Sequence, residues 1–170
     1  MKRKQLLSII IPAYNEENRI GSTLRAIKEY CNRKRLNYEI IIVDDGSNDR
    51  TRTIVEKAKD RHIRLVSYGK NRGKGFAVRF GMGKARGDLL LFSDADLSTP
   101  IEELDKFLPL AERFDVLIGS RNLRGSDIRI RQPWYRRIPG KIFSIITRVL
   151  LLPGIKDSQC GFKLFTRKAA

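Results

Sequence analysis

The chain has 170 residues, 41% of them hydrophobic, and its 35 Lys and Arg against 19 Asp and Glu give a formal net charge of +16. That length suits one domain with a real core, and the hydrophobic share excludes a disordered chain. The charge excess points to an anionic partner, either nucleic acid, acidic lipid or a phosphorylated substrate, with a generally basic, soluble surface as the bland alternative.

His62 is the only histidine and sits in a polar turn, so zinc sites and Ser-His-Asp or Cys-His machineries have little support. Cys31 and Cys160 lie far apart without metal-ligand spacing and read as free thiols of a reducing compartment. Residues 1–5 are basic, but the apolar run after them is interrupted by Pro12 and Asn15, which argues for a strand and against a signal peptide. No apolar run reaches transmembrane length.

Residues 6–11 form an apolar, β-branched run that predicts a first strand. It stops at Pro12-Ala13-Tyr14-Asn15-Glu16-Glu17, because proline cannot continue a central strand. Ile20, Leu24, Ile27 and Cys31 recur at helical spacing. Residues 40–43 predict a second buried strand, closing in Asp44-Asp45-Gly46-Ser47-Asn48-Asp49. There Gly46 permits a tight turn, and Asn48 or Asp49 can cap a helix running to about Asp60. A third strand is expected over 63–66 and a helix over 76–85, joined by Lys70-Asn71-Arg72-Gly73-Lys74-Gly75. Gly87-Asp88 then turns the chain into a strand over 89–92. A helix after Pro100 is expected to reach about Phe114, kinked or split by Pro109, and 116–119 reads as a short strand ending at Ser120-Arg121. Buried strands alternating with amphipathic helices predict an α/β fold, a largely parallel sheet covered on both faces. The polar strand ends can then face one shared cleft.

The sharpest signal follows the strand over 89–92. Asp94 and Asp96 are spaced by one residue, so they can converge on one point at the strand's carboxyl end. Their hard oxygens suit Mg²⁺ or Mn²⁺. Thr99 as N-cap, Pro100 at the first helical position and Glu102 in a capping box are expected to brace them. Taken alone, Asp-x-Asp reads first as a solvated turn; the buried strand before it and the helix expected after it bring the two readings level. Other loops add to it. Asp45 can accept from an N–H of a nucleotide base, Tyr14 can pack against a base, and Glu16 can accept from a ribose hydroxyl. Gly73-Lys74-Gly75 lets backbone approach closely at a helix start, where amides favour phosphate, and Lys74 adds a cation. This loop completes neither Gly-x-Gly-x-x-Gly, since Val78 stands at the last position, nor a Walker loop. A metal on Asp94 and Asp96 would neutralise a diphosphate leaving group. These are the parts of a nucleotide-diphosphate transferase.

The organisation changes after about Asn122. Arg124, Arg129, Arg131, Arg136, Arg137 and Lys141 surround Trp134 and Tyr135, and an apolar run over 142–152 follows. The segment reads as a membrane-surface element on anionic lipid, as a core helix with a basic flank, or as a nucleic-acid patch without a recognisable binding motif. Residues 1–122 are thus expected to bind nucleotide sugar, and 123–170 to form the acceptor or membrane-surface part of the same domain.

The loops together with Gly119-Ser120-Arg121 and Asp157-Ser158-Gln159-Cys160-Gly161-Phe162-Lys163 resemble the family 2 glycosyltransferases of the GT-A fold. Within them the pattern is most similar to the polyprenyl-phosphate sugar synthases, above all the dolichyl-phosphate β-glucosyltransferases. The motifs span nearly the whole chain in the family's order. The resemblance implies a Rossmann-like α/β GT-A fold and an inverting, metal-dependent transfer of glucose from UDP-glucose to a polyprenyl phosphate. It implies that Pro12, Ala13, Tyr14, Glu16, Asp44, Asp45, Gly73, Lys74, Asp94 and Ala95 hold the nucleotide sugar. Asp94 and Asp96 would bind Mg²⁺ or Mn²⁺, with Asp96 the main ligand. Arg121, Arg136 and Arg137 would receive the acceptor phosphate, and Asp157 stands at the place of the catalytic base. A phosphate monoester with a second pKa of about 6 needs no base near neutral pH, so Asp157 reads equally as a carboxylate orienting the loop before Cys160. The Asp94-Ala95-Asp96-Leu97-Ser98 form also occurs among mannose-type relatives, which keeps GDP-mannose open as donor. Another glycan acceptor is a further alternative, against which the absence of Gln-x-x-Arg-Trp counts. Outside enzymes, the rival is a basic domain binding nucleic acid or lipid, which gains nothing from clustered acidic loops. The resemblance finally implies no nucleic-acid partner, a peripheral place at the cytoplasmic face of a membrane, and further helices beyond Ala170.

Overall fold

The β-branched apolar runs form the centre of a sheet. The computed structural model describes residues 5–119 and 160–170. Strands β1 (Leu6–Ala13), β2 (Asn37–Asp44), β3 (Ile63–Ser67) and β4 (Leu89–Ser93) are joined by helices α1 (Ile20–Arg33), α2 (Thr51–Lys57) and α3 (Lys74–Lys84). A broken helical segment follows: a 3₁₀ turn over Ile101–Glu103, the short α4 (Leu104–Phe107) and a second 3₁₀ turn over Leu108–Leu110. Strands β5 (Val116–Ile118) and β6 (Phe162–Thr166) complete the described elements. Of the described residues, 5–117 and 162–170 make one compact unit. Arg121, Arg136, Arg137, Asp157 and the basic and apolar segment over 123–152 lie outside the described residues. Among the described residues no helix is long and apolar enough to cross a membrane.

The sheet order is β3-β2-β1-β4-β6-β5. β1 pairs in parallel with β2 and β4, and β2 with β3, as the alternation of strands and helices predicts. Ile10, Ile41, Val43 and Leu90 pack under α3, while Ile9 and Ile11 are equally buried on the other face. Burial on both faces explains why β1 and β2 read as continuous apolar runs. α3 lies close on the sheet through Ala77 and Gly81: a Cβ at Gly81 would stand 2.6 Å from Ile10 Cγ2 and 2.7 Å from Val43 Cγ2.

The far end of the sheet is tied by a buried carboxylate. Glu39 accepts from Ser8 Oγ at 2.6 Å, the Arg86 N–H at 2.6 Å and Arg64 Nη1 at 2.9 Å. Burial alone raises Glu39, but these hydrogen bonds outweigh it and hold the carboxyl below its ordinary value. His62 is structural, stacked on Tyr38 and beside the Asp60 carboxylate. Cys31 and Cys160 are buried and remain thiols, and burial pushes Cys31 up to about 12.

Several boundaries differ from the sequence expectation. α2 stops at Lys57 and not near Asp60, because Lys59 takes a left-handed φ of 40°. α3 starts earlier, at Lys74, since the Gly73 carbonyl already accepts the Ala77 N–H. The expected capping box does not form. Pro100 has an extended ψ of 143° and is itself the cap residue, which leaves Thr99 one position too far out, and Glu102 reaches Arg33 instead. Pro109 splits the helix that follows. β6 is an unexpected strand, antiparallel to β4 with Phe92 opposite Lys163 and Ser93 opposite Phe162. Arg167 locks it in place by donating from Nε and Nη2 to the Gly87 carbonyl at 2.9 and 2.7 Å.

Candidate active site

The chain runs outward from β1 through β2 to β3, then returns to the other side of β1 as β4. The order of strands therefore reverses between β1 and β4, and such a switch point opens a crevice at the strands' carboxyl ends. A cleft of about 330 Å³ lies there. Pro12, Ala13, Tyr14 and Glu16 line it from the end of β1, and Asp45 from β2. Asn71, Gly73 and Lys74 come from the start of α3, and Asp94, Ala95 and Asp96 from β4. Of the described residues expected to hold a nucleotide sugar, only Asp44 is absent from the lining. Its buried carboxylate accepts the Ser47 N–H at 3.0 Å and closes the turn after β2.

The loop after β1 is stitched to the loop after β2. The N–H groups of Asn15, Glu16 and Glu17 donate to Ser47 Oγ at 3.0 Å, Thr51 Oγ1 at 2.7 Å and Asp49 Oδ2 at 3.0 Å. Asp49 also takes the Thr51 N–H at 2.9 Å, but Arg50 is the cap residue of α2, so Asp49 stands one position outside the cap expected of it. These bonds fix the backbone that presents Tyr14, which remains 45% exposed and offers a ring face to a ligand.

Asp45 organises the loop before α3. Its Oδ1 accepts from the Tyr68 hydroxyl at 2.6 Å and the Arg72 N–H at 2.7 Å, and its Oδ2 from the Gly73 N–H at 3.0 Å. Burial, and then the bond to Asp45, raise the Tyr68 hydroxyl above its ordinary value, which keeps it a donor. The loop passes so close over Gly46, which has a φ of 78°, that a Cβ there would stand 2.7 Å from the Asn71 nitrogen. α3 opens at Lys74, so its amino end borders the cleft where backbone amides favour an anion.

The acidic pair sits on a tight turn. Leu97 has a φ of 47°, its N–H reaches the Asp94 carbonyl at 3.2 Å, and Asp96 Oδ1 accepts the Ser98 N–H at 2.9 Å. Ala95 between them is buried, and its carbonyl accepts the Thr23 hydroxyl of α1 at 2.5 Å. Among the described residues, two buried side-chain atoms accept no hydrogen bond: Asp94 Oδ1 and Glu16 Oε2. Both residues line this cleft. Each oxygen has only an ion-pair neighbour, Lys74 Nζ at 2.6 Å and Arg19 Nε at 2.7 Å. Each oxygen is thus compensated in charge by one cation but takes no aligned hydrogen bond, a contact that a ligand can replace. Among the described residues no third His, Cys, Asp or Glu groups with Asp94 and Asp96. Two hard carboxylates with the remaining positions open fit Mg²⁺ or Mn²⁺, which keep water and phosphate in their shells.

Sequence reasoning missed Thr23, Asn71 and Tyr68. Thr23 had one signal, a hydroxyl on the apolar face of α1 between Ile20 and Leu24.

Comparison with known proteins gives the chain a family and a fold. The family described as Glycosyl transferase family 2 matches residues 8–170. The dolichyl-phosphate β-glucosyltransferase of Dictyostelium discoideum is 39% identical over 179 residues, covering 96% of this chain and 55% of that one. This chain thus spans about half the length of the curated relatives it matches. A mannosyltransferase from Pyrobaculum calidifontis, solved with GDP-Man and Mn²⁺, superposes with a TM-score of 0.64 at 21% identity, over 98% of this chain and 46% of that one. Glucosyl-3-phosphoglycerate synthase from Mycobacterium tuberculosis, solved with Mn²⁺, UDP-glucose and phosphoglyceric acid, gives 0.66 at 20% identity, over 96% and 57%. The sheet is that of the GT-A fold, and the chain belongs to glycosyl transferase family 2.

Proposed function

We propose that this chain carries the donor and metal site of an inverting transferase that moves glucose from UDP-glucose to a polyprenyl (dolichyl) phosphate. The observation that carries the reading is the cleft at the switch point, with the carboxylates of Glu16, Asp94 and Asp96 in its wall. The relative from Dictyostelium is named for this transfer, and the synthase from Mycobacterium was solved with UDP-glucose.

Tyr14 packs against the base, and Glu16 accepts from a ribose hydroxyl. Asp45 holds the loop that brings Lys74 and the amino end of α3 to the diphosphate. Asp94 and Asp96 hold Mg²⁺ or Mn²⁺, which when bound neutralises charge developing on the diphosphate. The acceptor phosphate, mostly dianionic near neutral pH, attacks the anomeric carbon from the face opposite the leaving group. One oxygen–carbon bond forms, the bond to the diphosphate breaks, and its electron pair leaves with the diphosphate. Arg121, Arg136 and Arg137 grip the acceptor phosphate, for which the fork of a guanidinium is suited. Asp157 orients the loop before Cys160 or serves as base. The segment over 123–152 lies on anionic lipid at the cytoplasmic face of a membrane, and nucleic acid is no partner.

The test is a transfer assay of the purified chain with UDP-glucose or GDP-mannose and a polyprenyl phosphate, with the product's anomeric configuration read by NMR. We expect a β-glucosyl phosphate product from UDP-glucose that disappears with EDTA. Transfer of mannose alone would move the chain to the mannose synthases, and transfer unaffected by EDTA would refute the metal's role.

A further inference from the structure

We propose that Lys74 is an exchangeable counter-ion of the metal site: it holds Asp94 when the cleft is empty and passes to the diphosphate when nucleotide arrives, so that metal and nucleotide bind cooperatively. The proposal rests on the donor-site reading above and adds an order to it.

The two acidic residues are not equivalent. Asp96 pairs with no cation among the described residues, and its Oδ1 takes only the Ser98 N–H. Asp94 is held. Its Oδ1 is shut off from solvent, accepts no aligned hydrogen bond, and lies 2.6 Å from Lys74 Nζ. A divalent ion needs that carboxylate at about 2.1 Å. An ammonium in contact with the same carboxylate would lie within a few ångströms of the ion, and the two cations repel. Metal binding to Asp94 through Oδ1 therefore works against the Lys74 contact and favours its release.

Lys74 is built to leave. Its side chain is 56% exposed against 24% for Asp94, and its flexible stem lets the ammonium swing while the backbone stays put. Its Nζ is also 5.3 Å from the Phe92 ring centroid, a weak second contact. Lys74 is the first residue of α3, where the helix end and the loop held by Asp45 favour an anion. With no diphosphate present, displacing the lysine leaves its charge without a partner. With one present, Lys74 exchanges a carboxylate for a phosphate, and the metal takes the vacated oxygen. Nucleotide must then tighten metal binding, and by linkage metal must tighten nucleotide binding equally.

The test measures Mn²⁺ binding by the EPR signal of free Mn²⁺, on the chain and on Lys74→Met and Lys74→Arg, each with and without UDP. We expect UDP to tighten Mn²⁺ binding by the unaltered chain by about tenfold or more, within the usual range of coupling. Lys74→Met should bind Mn²⁺ alone about tenfold more tightly than the unaltered chain and gain less from UDP than the unaltered chain does. Lys74→Arg keeps the charge and should keep the coupling. If Lys74→Met binds Mn²⁺ alone no more tightly than the unaltered chain, the exchange is refuted while the metal site stands. If the unaltered chain takes up no Mn²⁺ even with UDP, the metal reading of Asp94 and Asp96 fails and the exchange falls with it.

Discussion

Ala95 lies between Asp94 and Asp96, and its carbonyl takes the Thr23 hydroxyl across 72 positions of sequence. Thr23 touches no ligand, yet it joins α1 to the one peptide whose orientation sets Asp94 against Asp96. Thr23→Val keeps the volume and removes the donor. Leaving the buried carbonyl unpaired should cost about 1–3 kcal/mol of stability. It should also weaken metal-dependent UDP-glucose binding several-fold, and Thr23→Ser should restore that affinity. Thermal unfolding and nucleotide titration of both variants check this; loss of stability with unchanged affinity would confine Thr23 to the fold. At this scale the sequence shows the acidic pair well, because a spacing of two is a local property of a strand. It shows the partners of Asp45 poorly. Tyr68, Arg72 and Gly73 reach that carboxylate only because the loop folds back over Gly46. Sequence order offers Asp45 to a base, whereas the structure gives it three donors from the protein.

The parallel strands were legible as elements because burial on both faces demands continuous apolar runs, and α1 because its buried residues repeat at helical spacing. β6 was not. It has five residues, and Lys163 interrupts its apolar positions, so only pairing with β4 makes it a strand. The capping box failed for a reason that is also non-local: the chain enters the 3₁₀ turn with Pro100 extended. α3 carries Lys74 to the cleft and rests on β1 and β2. Gly81→Ala tests that seat. Alanine favours the helix by about 1 kcal/mol, but its methyl would meet Ile10 and Val43 at 2.6 and 2.7 Å, and overpacking typically costs about 1–3 kcal/mol. We expect net destabilisation and an unfolding midpoint lower by about 3–8 °C. A midpoint unchanged or raised would show that α3 can lift from the sheet without penalty.

The molecule as a whole joins two kinds of argument. The donor side follows from topology: an order of β3-β2-β1-β4 forces a switch point, and the loops after β1, β2 and β4 bring their polar residues to it. The fold and that cleft were therefore legible before the structure. The acceptor side rests on motif resemblance at Arg121, Arg136, Arg137 and Asp157. The net charge of +16 fits a phosphorylated acceptor on an anionic surface, but charge alone names no substrate. On the proposed function, the cleft binds a nucleotide sugar through a metal on the acidic pair. Calorimetric titration of UDP-glucose, with Mn²⁺ and then with EDTA, tests it most directly when run on the chain and on Asp96→Ala. We expect binding with Mn²⁺ that is lost with EDTA and lost in Asp96→Ala. Equal binding with EDTA, or an unaffected Asp96→Ala, would contradict it.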